Sequence, residues 1–140
     1  MNQFDPYLTF DGDCTEAMRF YEKTLGGKIE AIFTGGQSPM ASQIPPEGRD
    51  RVLHARLNLD GQILMGCDAM MGQPFDGMKG FWVSLIYPDD NAKAKRIFDA
   101  LAPGGNVVMP MQKTFWSEAY GMVTDRFGTP WMVQGVMIPL

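Results

Sequence analysis

An internal repeat constrains this chain more than any other feature. Leu8–Gly27, LTFDGDCTEAMRFYEKTLGG, returns in pattern as Leu85–Gly105, LIYPDDNAKAKRIFDALAPGG. Each copy reads as a strand end, an acidic turn, an amphipathic helix and a Gly-Gly exit. At a constant offset Phe10 falls on Tyr87, Asp13 on Asp90, Ala17 on Ala94, Arg19 on Arg96 and Tyr21 on Phe98. One extra residue then enters before the second Gly-Gly. Self-similarity at a fixed spacing means one supersecondary plan used twice.

The segments around the two copies complete that plan. Pro6–Phe10 reads as a first strand, with Leu8 and Phe10 on one side and Tyr7 and Thr9 on the other. Asp13 and Glu16 have the spacing of a capping box, and Ala17, Met18, Tyr21 and Leu25 share one helical face. Gly26-Gly27 ends the helix, and Lys28–Thr34 is a second strand. Residues 35–51 carry Gly, Ser and Pro without a period, as expected of a long loop, either a binding lid or a plain excursion. Val52–Asp60 alternates Leu53, Ala55, Leu57 and Leu59 with His54, Arg56, Asn58 and Asp60. Asp60-Gly61 turns it into a return strand, Gln62–Asp68.

After a Met- and Gly-rich linker at 70–80 the plan repeats. Phe81–Tyr87 is a strand, and Asp90 caps a helix that buries Ala94, Ile97, Phe98 and Leu101. Asn106–Met111 is a strand whose Pro110 fits an edge or a bulge. Ala119–Arg126 and Trp131–Met137 are the last two strands. The expected organisation is one domain over 1–140, with a first strand–helix–three-strand (βαβββ) module at 1–69 and a second at 81–140.

Composition narrows the partners. A net charge of −4 argues against nucleic acid, which needs a basic face. No apolar run is long enough for a membrane span, and no leader pattern opens the chain, so the cytoplasm is the expected compartment. Cys14 and Cys67 fit reduced, separate thiols. Twelve methionines is a high count, and Met adapts to irregular cores and varied ligands alike.

Two consecutive modules of this kind resemble the vicinal oxygen chelate superfamily, which includes glyoxalase I, ring-cleaving dioxygenases and bleomycin-resistance proteins. Within it the chain is similar to the PhnB-like branch, which also carries a demethylubiquinone methyltransferase-type domain name. The pieces are Tyr7–Gly12, Phe20-Tyr21, Leu25–Gly27, His54-Ala55, Met109–Gln112, Thr114–Trp116, Tyr120–Met122, Asp125–Gly128 and Trp131. The resemblance implies an α+β fold in which curved mixed sheets surround a cup, with helices on the convex side. It also implies a homodimer, and a metal held by His and Glu on the first and last strands of each half. Those ligand positions fall on Tyr7, near Met65, on Trp82 and on Met132. A thioether and an indole do not serve a Lewis-acid metal, so no cofactor is expected.

Small-molecule binding without the metal quartet is therefore the expected function. Alternation directs His54, Arg56 and Asn58 into the first cup, and Trp82 and Ser84 into the second. Tyr7, Trp116, Tyr120 and Met132 complete the candidate lining. His54, the one histidine in the chain, is the candidate acid or base. The alternative is a divalent-metal lyase, isomerase or dioxygenase with atypical ligands drawn from His54 and Asp68. A methyltransferase is disfavoured because no Gly-rich strand-to-helix loop of nucleotide-binding type is present.

Overall fold

The computed structural model describes residues 2–140. Contacts divide the chain into two compact units, meeting in sequence at Gly77 and Met78. The first holds β1 (Tyr7–Phe10), α1 (Cys14–Leu25), β2 (Lys28–Thr34), β3 (Val52–Leu59) and β4 (Gln62–Asp68). The second holds β5 (Val83–Ile86), α2 (Asn91–Leu101), β6 (Asn106–Gln112), β7 (Tyr120–Thr124) and β8 (Pro130–Gln134). Each unit is thus a strand, a helix and three strands, as the repeat predicts. The strands order as β1-β4-β3-β2 and as β5-β8-β7-β6. In both sheets the first strand pairs in parallel with the last, and every other pairing is antiparallel.

One face of each sheet carries its helix. In the first unit Leu8, Phe10, Ala55, Leu57 and Leu64 are buried together with Cys14, Ala17, Met18 and Tyr21 of α1. Gly66 lies among them, and a methyl group there would touch Phe10 and the Cys14 sulfur. In the second unit Val123, Trp131 and Val133 are buried with Ala94, Ile97, Phe98 and Leu101 of α2. Gly121 lies beneath Phe98 and leaves no space for a methyl group. Strand alternation sends the intervening residues to the opposite, open face.

The Gly-Gly pairs that follow the helices match, although Gly26 caps α1 directly while Ala102, still helical, caps α2 ahead of Gly104. Gly26 (φ 83°) and Gly104 (φ 80°) take the left-handed conformation that other residues resist. The following glycine serves closeness instead. A Cβ on Gly27 would strike Leu59 and the Asn58 carbonyl, and one on Gly105 would strike the Thr124 carbonyl and Asp125.

Three expectations change. Asp13 makes no side-chain cap. Instead Asp68, only 2% exposed, accepts from the backbone N–H of Gly12 (2.8 Å) and Cys14 (3.0 Å) with one oxygen and from Val52 (2.9 Å) with the other. A carboxylate arriving from β4 satisfies the helix start and makes the local capping box unnecessary. Second, residues 35–51 contain three 3-10 turns at Gly35–Gln37, Ala41–Gln43 and Pro46–Gly48. Their ends are tied by Gly35 and Gly36 N–H bonds to the Arg51 and Arg49 carbonyls, and Ile44 plugs the interior. Third, the final strands are shorter than the alternation suggests, and β5 begins after Trp82.

Candidate functional site

The open face of the first sheet reads across its strands in register. Tyr7 pairs with Met65, Met65 with Arg56, and Arg56 with Ala31. Beside this row Phe33 pairs with His54, and Thr9 with Cys67. The Tyr7 hydroxyl lies 3.1 Å from His54 Nδ1, and the Phe33 ring centre is 5.9 Å from that of His54. Tyr7 is 46% exposed at its residue surface. Desolvation, followed by the nearby Cys67, nevertheless pushes its phenol up to about 12. Tyr7 is therefore a neutral hydrogen-bonding group at physiological pH.

The open face of the second sheet has the same row with different chemistry. Ser84 pairs with Met132, Met132 with Met122, and Met122 with Met109. The adjacent row is Ile86, Gln134, Tyr120 and Gln112. Phe115, Trp116 and Tyr120 form an edge-to-face ladder with centroid separations of 4.8 and 5.1 Å. The ladder runs from Phe115, 76% exposed, to Tyr120, 8% exposed.

The predicted site residues sort unevenly into these faces. Tyr7 and His54 come together, and so do Ser84 and Met132 within the second sheet. Arg56 and Asn58 share Glu30, through Nε to Oε1 at 2.8 Å and Nδ2 to Oε2 at 3.0 Å. Both of these anchors already have an acceptor. Glu30 is held below the usual carboxylate range by the Asn58 bond first and the Arg56 bond second. Trp82 is half-buried ahead of β5, Trp116 is half-buried within the ladder, and Tyr120 is buried at the ladder's inner end. The weak His54–Asp68 metal pairing is not brought together. Asp68 is buried and spends both oxygens on backbone donors, while His54 faces Tyr7 and Phe33.

Sequence reading missed Glu30, Phe33, Met109 and Met122. The register of β2 shifts between Ile29 and Ala31 and again between Phe33 and Thr34, and that of β6 shifts on both sides of Met109. Bulges break the period that alternation depends on. Met109 and Met122 stand in the sequence within two pieces of the family resemblance and in the high Met count, but neither signal puts them in a lining. Two grooves border these faces. One, of about 260 Å³, runs beside Gly27, Lys28, Glu30, Asn58 and Asp60. The other, of about 310 Å³, lies beside Asn91, Lys95, Met111, Gln112 and Lys113.

The metal question can be put to these residues directly. Ser84, not Trp82, stands in register with Met132 as Tyr7 does with Met65. Tyr7, Met65, Ser84 and Met132 offer a high-pKa phenol, a hydroxyl and two thioethers. Divalent Lewis acids take imidazole and carboxylate donors, so this set does not fit them. Among the described residues no group of three or more His, Cys, Asp or Glu side chains is placed to share an ion.

Two units of strand, helix and three strands, each with a four-stranded mixed sheet and one helix-covered face, define an α+β fold of the glyoxalase type. The chain belongs to the Glyoxalase/Bleomycin resistance protein/Dioxygenase superfamily, whose family model matches residues 3–133. It is similar to Protein YjdN of Escherichia coli K12, at 34% identity over 94% of this chain and 93% of that protein. Among solved structures it resembles protein PA1353 of Pseudomonas aeruginosa. That likeness has a TM-score of 0.90 and 43% identity over 97% of this chain and 98% of the other. A PhnB protein of Bacillus cereus shares the fold at a TM-score of 0.79 and 23% identity, over 96% and 100% of the two chains. No helix among the described residues is long and apolar enough to cross a membrane.

Proposed function

We propose that this chain binds a small organic molecule on its aromatic- and Met-lined open faces, without the superfamily's divalent metal quartet. The observation that carries the reading is the pair of equivalent rows. The resemblance marks Tyr7, Met65, Trp82 and Met132 as ligand positions, and strand register replaces Trp82 with Ser84, so the two rows offer Tyr7, Met65, Ser84 and Met132. All four are uncharged at neutral pH, and two are flexible thioethers that mould to flat or irregular surfaces. Trp116 and Tyr120 add ring faces and edges for stacking. The Tyr7–His54 pair is the polar contact, able to donate to or accept from a carbonyl or hydroxyl. Binding of this kind suits sequestration. The homodimer implied by the family resemblance belongs to the same reading, and light scattering on the purified protein tests it.

The test is titration with a flat aromatic probe such as anilinonaphthalene sulfonate, with and without a chelator. Equal affinity in both conditions is expected, with Tyr7→Phe and His54→Ala each weakening binding by roughly fivefold or more. Binding that required an added divalent ion would replace this reading with the metal-dependent enzyme. Absence of binding, with or without metal, would remove it.

A further inference from the structure

Three methionines stand side by side across the second sheet. Met132 on β8, Met122 on β7 and Met109 on β6 are register partners in one row. All three are half-buried, so none of the side chains is sealed in the core. Directly opposed residues on neighbouring antiparallel strands hold their Cβ atoms about 4.5–5.5 Å apart. The outer two methionines are therefore separated by only about 10 Å. With three rotatable bonds each, the thioethers can lean over the central strand and meet at one point.

The chemistry of such a point is narrow. A thioether is a soft, neutral donor that selects Cu(I) over Mg, Mn or Zn. It has no proton to lose, so its affinity does not fall as acid is added, unlike that of imidazole or thiolate sites. The groups facing the row from the same sheet are Ser84 and Ile86 on β5, Gln134 on β8, Tyr120 and Thr124 on β7 and Gln112 on β6. None carries a positive charge to repel a cation. The equivalent row of the first sheet fails this test, because the place of Met122 is taken there by Arg56 and that of Met109 by Ala31.

We propose that the Met109–Met122–Met132 row is a binding site for a soft monovalent metal ion, Cu(I), held by three thioethers on the second unit alone. The misfit between this chain and the divalent metals of its superfamily then becomes a change of donor class. The site goes beyond the organic-ligand reading and stands or falls without it.

The probe is Ag(I), which mimics Cu(I) without redox chemistry. Calorimetry and metal analysis after desalting read the stoichiometry, and Cu(I) in competition with bicinchoninate reads the affinity. Cys67→Ser removes the accessible thiol. Cys14 is fully buried, and burial first, then Asp68, pushes its thiol far above the usual range. Expected is one equivalent of Ag(I) in Cys67→Ser, retained at about pH 5.5, where ordinary thiol and imidazole donors are protonated. Met122→Leu and Met132→Leu, near-isosteric changes that keep the fold, should each weaken binding at least roughly tenfold. Loss of the equivalent in Cys67→Ser, or its loss at the lower pH, would overturn the site. So would unchanged affinity in both Leu variants. The pH test needs no Met variant, so the proposal stays testable even if one fails to fold.

Discussion

The two halves tie helix to sheet at the same place by opposite means. In the first, Asp68 at the end of β4 sends its carboxylate to the backbone N–H groups that open α1. In the second, the position equivalent to Asp68 is Gly135, and the position equivalent to Cys14 is Asn91. Here the first residue of α2 supplies the side chain, and Asn91 Oδ1 accepts from the Val136 N–H at 2.7 Å just beyond β8. Gly135 has no Cβ because that oxygen occupies its place. The start of α2 is then free to use a local cap, Asp90 accepting from Lys93 N–H at 2.9 Å. Duplicated architecture preserves where a polar tie is needed, not which strand or helix supplies it. The open faces diverge the same way, polar in the first row and thioether-rich in the second.

The tie in the first half should be the stronger. Asp68→Ala leaves three backbone donors without a partner, two of those bonds buried, and should cost about 3–5 kcal/mol. Asn91→Ala should cost only about 1–2 kcal/mol. Urea unfolding measures both, and a convenient probe separates the halves. Trp82, Trp116 and Trp131 all lie in the second unit. If Asp68→Ala shifts far-UV circular dichroism but not tryptophan fluorescence, the halves unfold separately. Equal costs for the two variants would break the contrast.

Next in size is Gly135→Ala, which should cost about 1–3 kcal/mol by crowding Asn91. The same change made in Asn91→Ala should cost much less. A double-mutant cycle with coupling below about 0.5 kcal/mol would show that the two positions do not share the space.

A smaller effect belongs to Tyr7. Its folded pKa of about 12 stands above the ordinary 10.0, so the unfolded chain loses its proton first. The associated stability is whole below pH 10 and is lost as pH rises towards 12. Tyr7→Phe should remove that part of the alkaline loss and delete one late phenolate absorbance step. Tyr87, also raised by burial, serves as the control in Tyr87→Phe. The smallest change is expected from Glu30→Gln. Its bonds to Arg56 and Asn58 are exposed, and melting with and without added salt should barely distinguish the variant.

The architecture was legible because the repeat fixed both units at once. Alternation in β3 also puts Ala55 and Leu57 on the face that the structure buries. What escaped were relations that local pattern does not encode. Asp68 looked like a stray carboxylate near a metal position, because its three donors lie far away in sequence. Asp125 instead pins its own turn, accepting from Phe127 and Thr129 N–H and from the Trp131 indole. The difference is range: Asp125 acts within six residues, Asp68 across 16 to 56. Arg56 and Asn58 seemed available because Glu30 sits at a bulge, where the period of two fails. The Met row was hidden for the same reason on β6.

The parallel pairing of first and last strands has a consequence for how the chain comes together. β1 has no sheet to join until β4 exists, and β5 waits in the same way for β8. Each half must therefore close nearly its whole length before its edge is in place, which makes that edge a late folding event. The chain closed in the first half is roughly ten residues longer, which costs only about 0.2 kcal/mol in loop entropy. Any large difference in refolding rate between the halves must then come from local order, and the tied loop at 35–51 is the structure that only one of them has to build.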